Sequence, residues 1–192
     1  MKKYRSDYLL NSMKPGRVYR RKELNEYSNS VDRELAELSF KGAVKKLSAG
    51  LYVKPEQSRF GGLPPDDKEL VRAFLNDNQF LLMSFNYYTS LGLGFTQLYN
   101  ETFVYNRRRH GKVKLGSKKF VFKNIPEFPK KPSREFLLID MLNNLNSLGE
   151  DSFEVLKRLK KKKDNFNMRK TSLMAKRYGK VRTKKIIKEL YA

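Results

Sequence analysis

The chain contains no cysteine. Disulfides, thiol catalysis and cysteine-ligated zinc are therefore excluded together. It has one histidine, His110, set in "RRRHGK", where a lone imidazole inside a basic turn reads as a solvent-exposed side chain. No cluster of acids and imidazole has metal-ligand spacing. Gly92-x-Gly94 does not continue to a third glycine at the dinucleotide-binding spacing, so it is a weak phosphate-loop signal. Asp66 and Asp67 are accounted for as a helix start. Glu135 and Asp140 sit on one helix but point in different directions. His110, Glu135 and Asp140 are the only residues the middle of the chain offers a nuclease or transferase. No acid, base and nucleophile assemble, and the expectation is a non-enzyme with no cofactor. No apolar run approaches the ~20 residues that span a bilayer, and no signal peptide is recognised, so a cytoplasmic location with no membrane partner is expected.

Acidic residues are also scarce. The 20 Asp and Glu face 42 Lys and Arg, leaving a formal charge of +22. A basic excess on this scale is the electrostatic footprint of nucleic-acid binding. An acidic protein partner or an anionic membrane surface would account for it too, although no helix with a broad apolar face stands out to favour the membrane. The excess is uneven, because residues 157–192 hold 15 Lys/Arg against 2 acids whereas the middle of the chain is close to neutral. Aromatics are plentiful, with 13 Phe and 11 Tyr, which argues against wholesale disorder.

The front of the chain is patterned. Tyr4, Tyr8, Leu9 and Met13 recur at helical spacing over 2–13, and Lys14-Pro15-Gly16 ends that helix. "RVYR" (17–20) reads as extended. A second short helix covers Arg21–Tyr27, with Leu24 and Tyr27 inward. "SNS" (28–30) offers N-caps for a third helix, 31–42, whose buried stripe is Val31, Leu35 and Leu38 and which Gly42 stops. "GAVKKLSAGLYVKP" (42–55) reads as two strands around a tight turn at Gly50. Helix, strand, helix, turn, helix and hairpin is the order of a winged helix-turn-helix, in which the second helix of the pair enters the major groove.

On that reading Arg33 projects away from the buried stripe and reaches a base edge. Asn29 and Ser30 reach phosphate or base. Arg20, Arg21 and Lys22 suit backbone phosphates, which position without specifying. Lys45, Lys46 and Lys54 add contacts from the hairpin. Each of these is also consistent with a solvated charge. Glu34 and Glu37 share the third helix and repel phosphate unless they are turned aside or accept from cytosine.

The remainder is expected to be a mixed α/β domain. "PEQSRFGGLPPDD" (55–67) reads as a linker. A helix over 66–75, a buried strand over 79–85, a short helix with a glycine loop over 86–100 and an antiparallel meander over 102–125 follow. An amphipathic helix covers 132–149, and a basic helical tail covers 150–192, broken at Gly179. The fold class is thus α+β. The expected domains are a winged helix-turn-helix over 1–58 and a second domain over 66–192, with a small antiparallel sheet and the basic helical tail.

The stretch 16–61, through "SVDRELAEL", "GAVKKLSAGLYVKP" and "SRFG", resembles the N-terminal domain of the AbiEi family of antitoxins of type IV toxin–antitoxin systems. "LGLGFTQLYNETFVYNRRRHGKVKLG" and "EFLLIDMLNNL" resemble members with a larger C-terminal domain. The resemblance covers most of residues 16–148. It implies a winged helix that binds double-stranded DNA at inverted repeats in its own promoter and represses the operon. It also implies a C-terminal domain that counters a cognate nucleotidyltransferase-like toxin. It identifies no toxin-contacting residue. An RNA- or protein-binding module that uses the same helices and tail, without promoter binding, remains the alternative.

Overall fold

The computed structural model describes residues 3–192, with side chains from Ser6 onward. Lys2 and the side chain of Tyr4, assigned above to the first helix, lie outside the described residues. The protein is mixed α and β, with small antiparallel sheets. It divides into two compact units, one formed by residues 1–80 and 108–122, the other by 81–107 and 123–192. Neither unit ends in the 59–65 stretch. Residues 56–63 form a hairpin rather than a bare linker, and the helix that follows stays in the first unit.

In the first unit, α1 (Lys3–Ser12), β1 (Val18–Arg20), a 3-10 turn (Glu23–Glu26), α2 (Val31–Phe40), β2 (Lys45–Ser48) and β3 (Leu51–Val53) follow in order. β3 is the central strand of a three-stranded antiparallel sheet, with Val18 opposite Val53 and Lys46 opposite Tyr52. Leu9, Met13, Tyr19, Leu24, Val31, Leu35, Leu38 and Val44 make one core. Tyr8 stays outside it, 62% exposed, because Ser6, Leu9 and Met13 take the inward positions of α1. The expected second helix is reduced to its 3-10 turn, which still seats Leu24 in the core. Gly50 adopts φ +71° at the hairpin tip, a left-handed conformation that glycine adopts without strain.

The first unit also holds β4 (Glu56–Ser58) paired with β5 (Gly61–Leu63), and α3 (Asp67–Leu75). Asp66 caps α3, accepting from the Lys68 amide at 2.9 Å. The unit's remaining pair is β8 (Gly111–Leu115) and β9 (Lys118–Asn124), the last two residues of which pass into the second unit. Phe74 of α3 packs on Phe122 at 5.1 Å between ring centroids. The Gly116 amide donates to the Leu47 carbonyl at 2.8 Å. The Phe74–Phe122 contact thus joins α3 to β9, and the Gly116 bond ties the β8–β9 hairpin to β2.

In the second unit β6 (Leu81–Met83) pairs with β7 (Thr102–Asn106), and a 3-10 segment covers Phe85–Leu91. α4 (Arg134–Asn143) is the central helix, with Phe136, Leu138, Ile139, Met141 and Leu142 buried. Ser133 caps it through the Phe136 amide. The helix ends earlier than its sequence pattern suggests and continues as a 3-10 turn over Leu145–Ser147. The basic tail is ordered as α5 (Ser152–Lys161), α6 (Met168–Tyr178) and α7 (Val181–Leu190), with the break at Gly179. Arg158 and Lys162 donate to the carbonyls of Leu93, Gly94 and Gly92. The tail therefore closes the glycine loop, and those carbonyls are engaged.

Candidate nucleic-acid interface

The nine candidate DNA contacts fall into two groups. Arg33, Lys22, Asn29, Lys45 and Lys46 are exposed. Arg33 lies on the solvent face of α2, one position before Glu34. Lys45 and Lys46 open β2, next in the chain after α2. Ser30, half-buried, precedes α2 without a side-chain cap bond, and its own amide donates to Ser28 Oγ at 2.9 Å.

The other three are committed within the unit. Arg20 Nη1 donates to the Ala73 carbonyl at 3.0 Å and so closes the C-terminal end of α3. Arg21 forms a bidentate pair with Asp32, at 2.9 and 2.6 Å, and also reaches Asn25 Oδ1. This pairing holds the Asp32 carboxyl below its ordinary range and raises the arginine. Lys54 Nζ donates to the Leu10 carbonyl at 3.0 Å, near the end of α1. It thereby places a cation where the helix dipole favours one.

The acids of α2 are placed unequally: Glu34 turns inward, whereas Asp32 and Glu37 stay at the surface, paired with Arg21 and Lys41. Glu34 is 3% exposed, and its Oε2 finds no hydrogen-bond partner among the described residues. Glu37 pairs with Lys41 at 2.5 Å and accepts from Ser6 Oγ. Lys41 holds the Glu37 carboxyl below its ordinary range.

A second polar site occupies the other unit. Asp140, 5% exposed on α4, accepts from the Tyr88 hydroxyl at 2.7 Å and from the Tyr105 hydroxyl at 2.8 Å. The Asn144 amide reaches the Asp140 carbonyl at 2.8 Å and its carboxylate at 3.4 Å. Lys123 Nζ donates to Asn144 Oδ1 at 3.1 Å and lies 4.3 Å from the Phe103 ring centroid. Burial pushes the Asp140 carboxyl up, while the two phenols, Lys123 and Lys180 oppose the rise. Burial pushes the Tyr88 and Tyr105 phenols up as well, so both remain donors. Burial lowers the Lys123 ammonium, and Lys180 adds to that, against Asp140.

Of the residues weighed for catalysis, His110 is exposed and belongs to the first unit, whereas the Asp140 cluster belongs to the second. Glu135 is half-buried and takes no part in the Asp140 network. Tyr88, Tyr105, Lys123 and Asn144 were not singled out from sequence. The one local signal was the i,i+4 spacing of Asp140 and Asn144, because the tyrosines come from other elements.

Comparison with protein-family models, with curated proteins and with solved structures finds no match to this chain. Among the described residues no helix is long and apolar enough to cross a membrane.

Proposed function

We propose that the first segment, α1 to β3, is a winged helix-turn-helix that binds double-stranded DNA, with α2 as recognition helix and the β2–β3 hairpin as wing. The observation that carries this reading is the outer face of α2. It presents Arg33 while Glu34 is buried and Glu37 is tied to Lys41. Arg33 then supplies base discrimination of ~1–3 kcal/mol if bidentate to guanine. Lys22, Lys45 and Lys46 supply phosphate contacts. Arg20, Arg21 and Lys54 support the domain instead, through the partners described above.

The wider reading is an antitoxin that represses its own operon and neutralises a nucleotidyltransferase-like toxin in the cytoplasm. It rests on the resemblance over residues 16–148. The test is a gel shift with the gene's own upstream duplex against a scrambled duplex of equal length. Sequence-specific retardation at moderate salt is expected, and equal retardation of both duplexes removes the repressor. Rescue of growth on co-expression with the adjacent toxin gene tests the antitoxin half.

A second reading makes the same unit a protein-contact module. Phe40, at the end of α2, and Phe60, at the β4–β5 tip, are 95% and 100% exposed and favour it. Phe40→Ser and Phe60→Ser would then abolish partner capture and leave the gel shift intact.

A further inference from the structure

The second unit contains a pocket of about 510 Å³ beside Asp140. Its size is in the range of small-molecule sites, roughly 300–1,000 Å³. Lys123 and Asn144 line one part of it, and the α6–α7 junction, with Lys180, lines another. Phe136 and Tyr178 contribute an edge-to-face aromatic pair, 5.3 Å between centroids.

The polar groups of the lining are unequally satisfied. Its two acids are occupied. Glu127 pairs with Arg177 at 2.7 Å, and both Asp140 oxygens accept from buried phenols. Its two amides are occupied as well. Asn143 Oδ1 accepts from the Lys180 amide and from Thr183 Oγ1, each at 2.8 Å, and its Nδ2 donates to the Tyr178 carbonyl. Asn144 is held by Asp140 and Lys123.

The two lysines differ. Neither Lys123 nor Lys180 has a carboxylate within ion-pair distance among the described residues. Each ammonium donates to one amide oxygen, Lys123 to Asn144 Oδ1 and Lys180 to the Asn143 carbonyl. An ammonium has three donors, so donors remain on both. Asp140 offsets part of the Lys123 charge and Lys180 opposes it, so the anion is drawn chiefly by the donors the two ammonium groups leave unused.

We propose that this pocket binds a small organic anion, its phosphate or carboxylate held by the Lys123 and Lys180 ammonium groups and its apolar body against Phe136 and Tyr178. The side-chain acids and amides are spent on protein partners, so the lining selects for acceptors on the ligand and an apolar remainder. Because the α6–α7 junction supplies part of the lining, occupancy fastens the basic tail to α4. The proposal is independent of the promoter-binding reading.

The test uses the full chain at constant ionic strength, with adenosine 5′-monophosphate, benzoate and inorganic phosphate as probes. Thermal melts and isothermal titration are the readouts. A saturable rise in melting temperature is expected with at least one organic anion, and weaker binding of inorganic phosphate. Preference for the nucleotide assigns phosphate as the anionic group; preference for benzoate assigns carboxylate. Lys180→Met and Lys123→Met should each weaken binding by about tenfold or more, the loss of a charge-assisted hydrogen bond. Lys123→Arg, which keeps the charge, should retain more of it. Lys188→Met, an exposed change on α7 away from the pocket lining, should leave it unchanged. Lys180 is exposed and its ammonium makes one bond, to the Asn143 carbonyl, so the ligand-free melt of Lys180→Met is the baseline for its binding. No saturable shift with any probe at millimolar concentration, or equal shifts in wild type and Lys180→Met, overturns the proposal. Inorganic phosphate binding as tightly as both organic anions overturns the apolar half of it.

Discussion

Tyr88→Phe removes a short hydrogen bond to a buried carboxylate and a long one, 3.4 Å, accepted from the Asn144 amide. It deletes the 2.7 Å bond to Asp140 Oδ2 and keeps the ring, which stacks on Phe85 at 5.4 Å between centroids. Tyr88 is fully buried, so no water is positioned to replace the hydroxyl. A hydrogen bond to a charged acceptor contributes ~1.5–3 kcal/mol. Asp140 Oδ2 also accepts from Tyr105 at 3.1 Å, and that second donor partly compensates. The expected loss is therefore ~2 kcal/mol. At about 2–4 °C per kcal/mol for a chain of this length, the melting temperature should fall by about 4–8 °C at neutral pH.

The pH dependence carries a sign. Burial raises the Asp140 carboxyl above its unfolded value, so the native state binds more protons than the unfolded state between the two values. Its contribution to stability is greatest below the unfolded pKa and declines as pH rises through the native one. Tyr88 opposes the rise by favouring the ionised form, so removing its hydroxyl penalises the native state most above the native pKa. The gap between wild type and Tyr88→Phe should narrow on acidification. Circular-dichroism melts at neutral and mildly acidic pH measure both. A loss below about 1 °C at neutral pH, or a gap that widens in acid, refutes an ionised Asp140 held by two phenols.

On DNA, Arg33→Ala should relax base preference, whereas Lys46→Ala should weaken all duplexes alike and lower the salt slope by about 0.9; a salt titration of the gel shift separates the two. Glu34→Met replaces a carboxylate that has an unpartnered buried oxygen among the described residues. It should raise stability by ~1–3 kcal/mol, read by melting, with no loss of DNA affinity; a lower melting temperature refutes the accounting. Gly50→Ala forces a Cβ into the left-handed turn at φ +71°, with open space around it. The expected loss is ~1–2 kcal/mol from backbone strain alone, and a melt unchanged from wild type would show that the tip is not held in that conformation.

Local pattern carried α1, α2 and α3 of the first unit and the break in the tail, but not the second helix expected over Arg21–Tyr27, which is a 3-10 turn. Val31, Leu35 and Leu38 fall on the buried side of α2 because a 3.6-residue period puts them there. Gly179 divides α6 from α7 as its position in the basic tail suggests. The chain's division was not legible in the same way. Residues 108–122 return to the first unit, and such a return is a long-range event that no local spacing encodes. The Asp140 cluster was hidden for the same reason. Tyr88 and Tyr105 approach it from 52 and 35 residues away, and a tyrosine in a strand or 3-10 segment gives no sign of which acid it will meet.

Glu34 is the instructive miss, because the position itself was readable. It follows Val31 by three residues and precedes Leu38 by four, which places it within the buried stripe by the same period that assigned its neighbours. Residue type argued the other way, since a lone glutamate is almost never fully buried unless paired. Position prevailed: the packing of Val31, Leu35 and Leu38 fixes the rotation of α2, and Glu34 turns inward with them. That rotation takes Glu34 off the face that carries Arg33 and leaves Asp32 and Glu37 there, each in an ion pair. A helix rotated to expose Glu34 would add an unpaired carboxylate to that face. For the proposed DNA-binding reading, the burial of Glu34 therefore removes one like-charge objection, and the ion pairs of Asp32 and Glu37 weaken the other two.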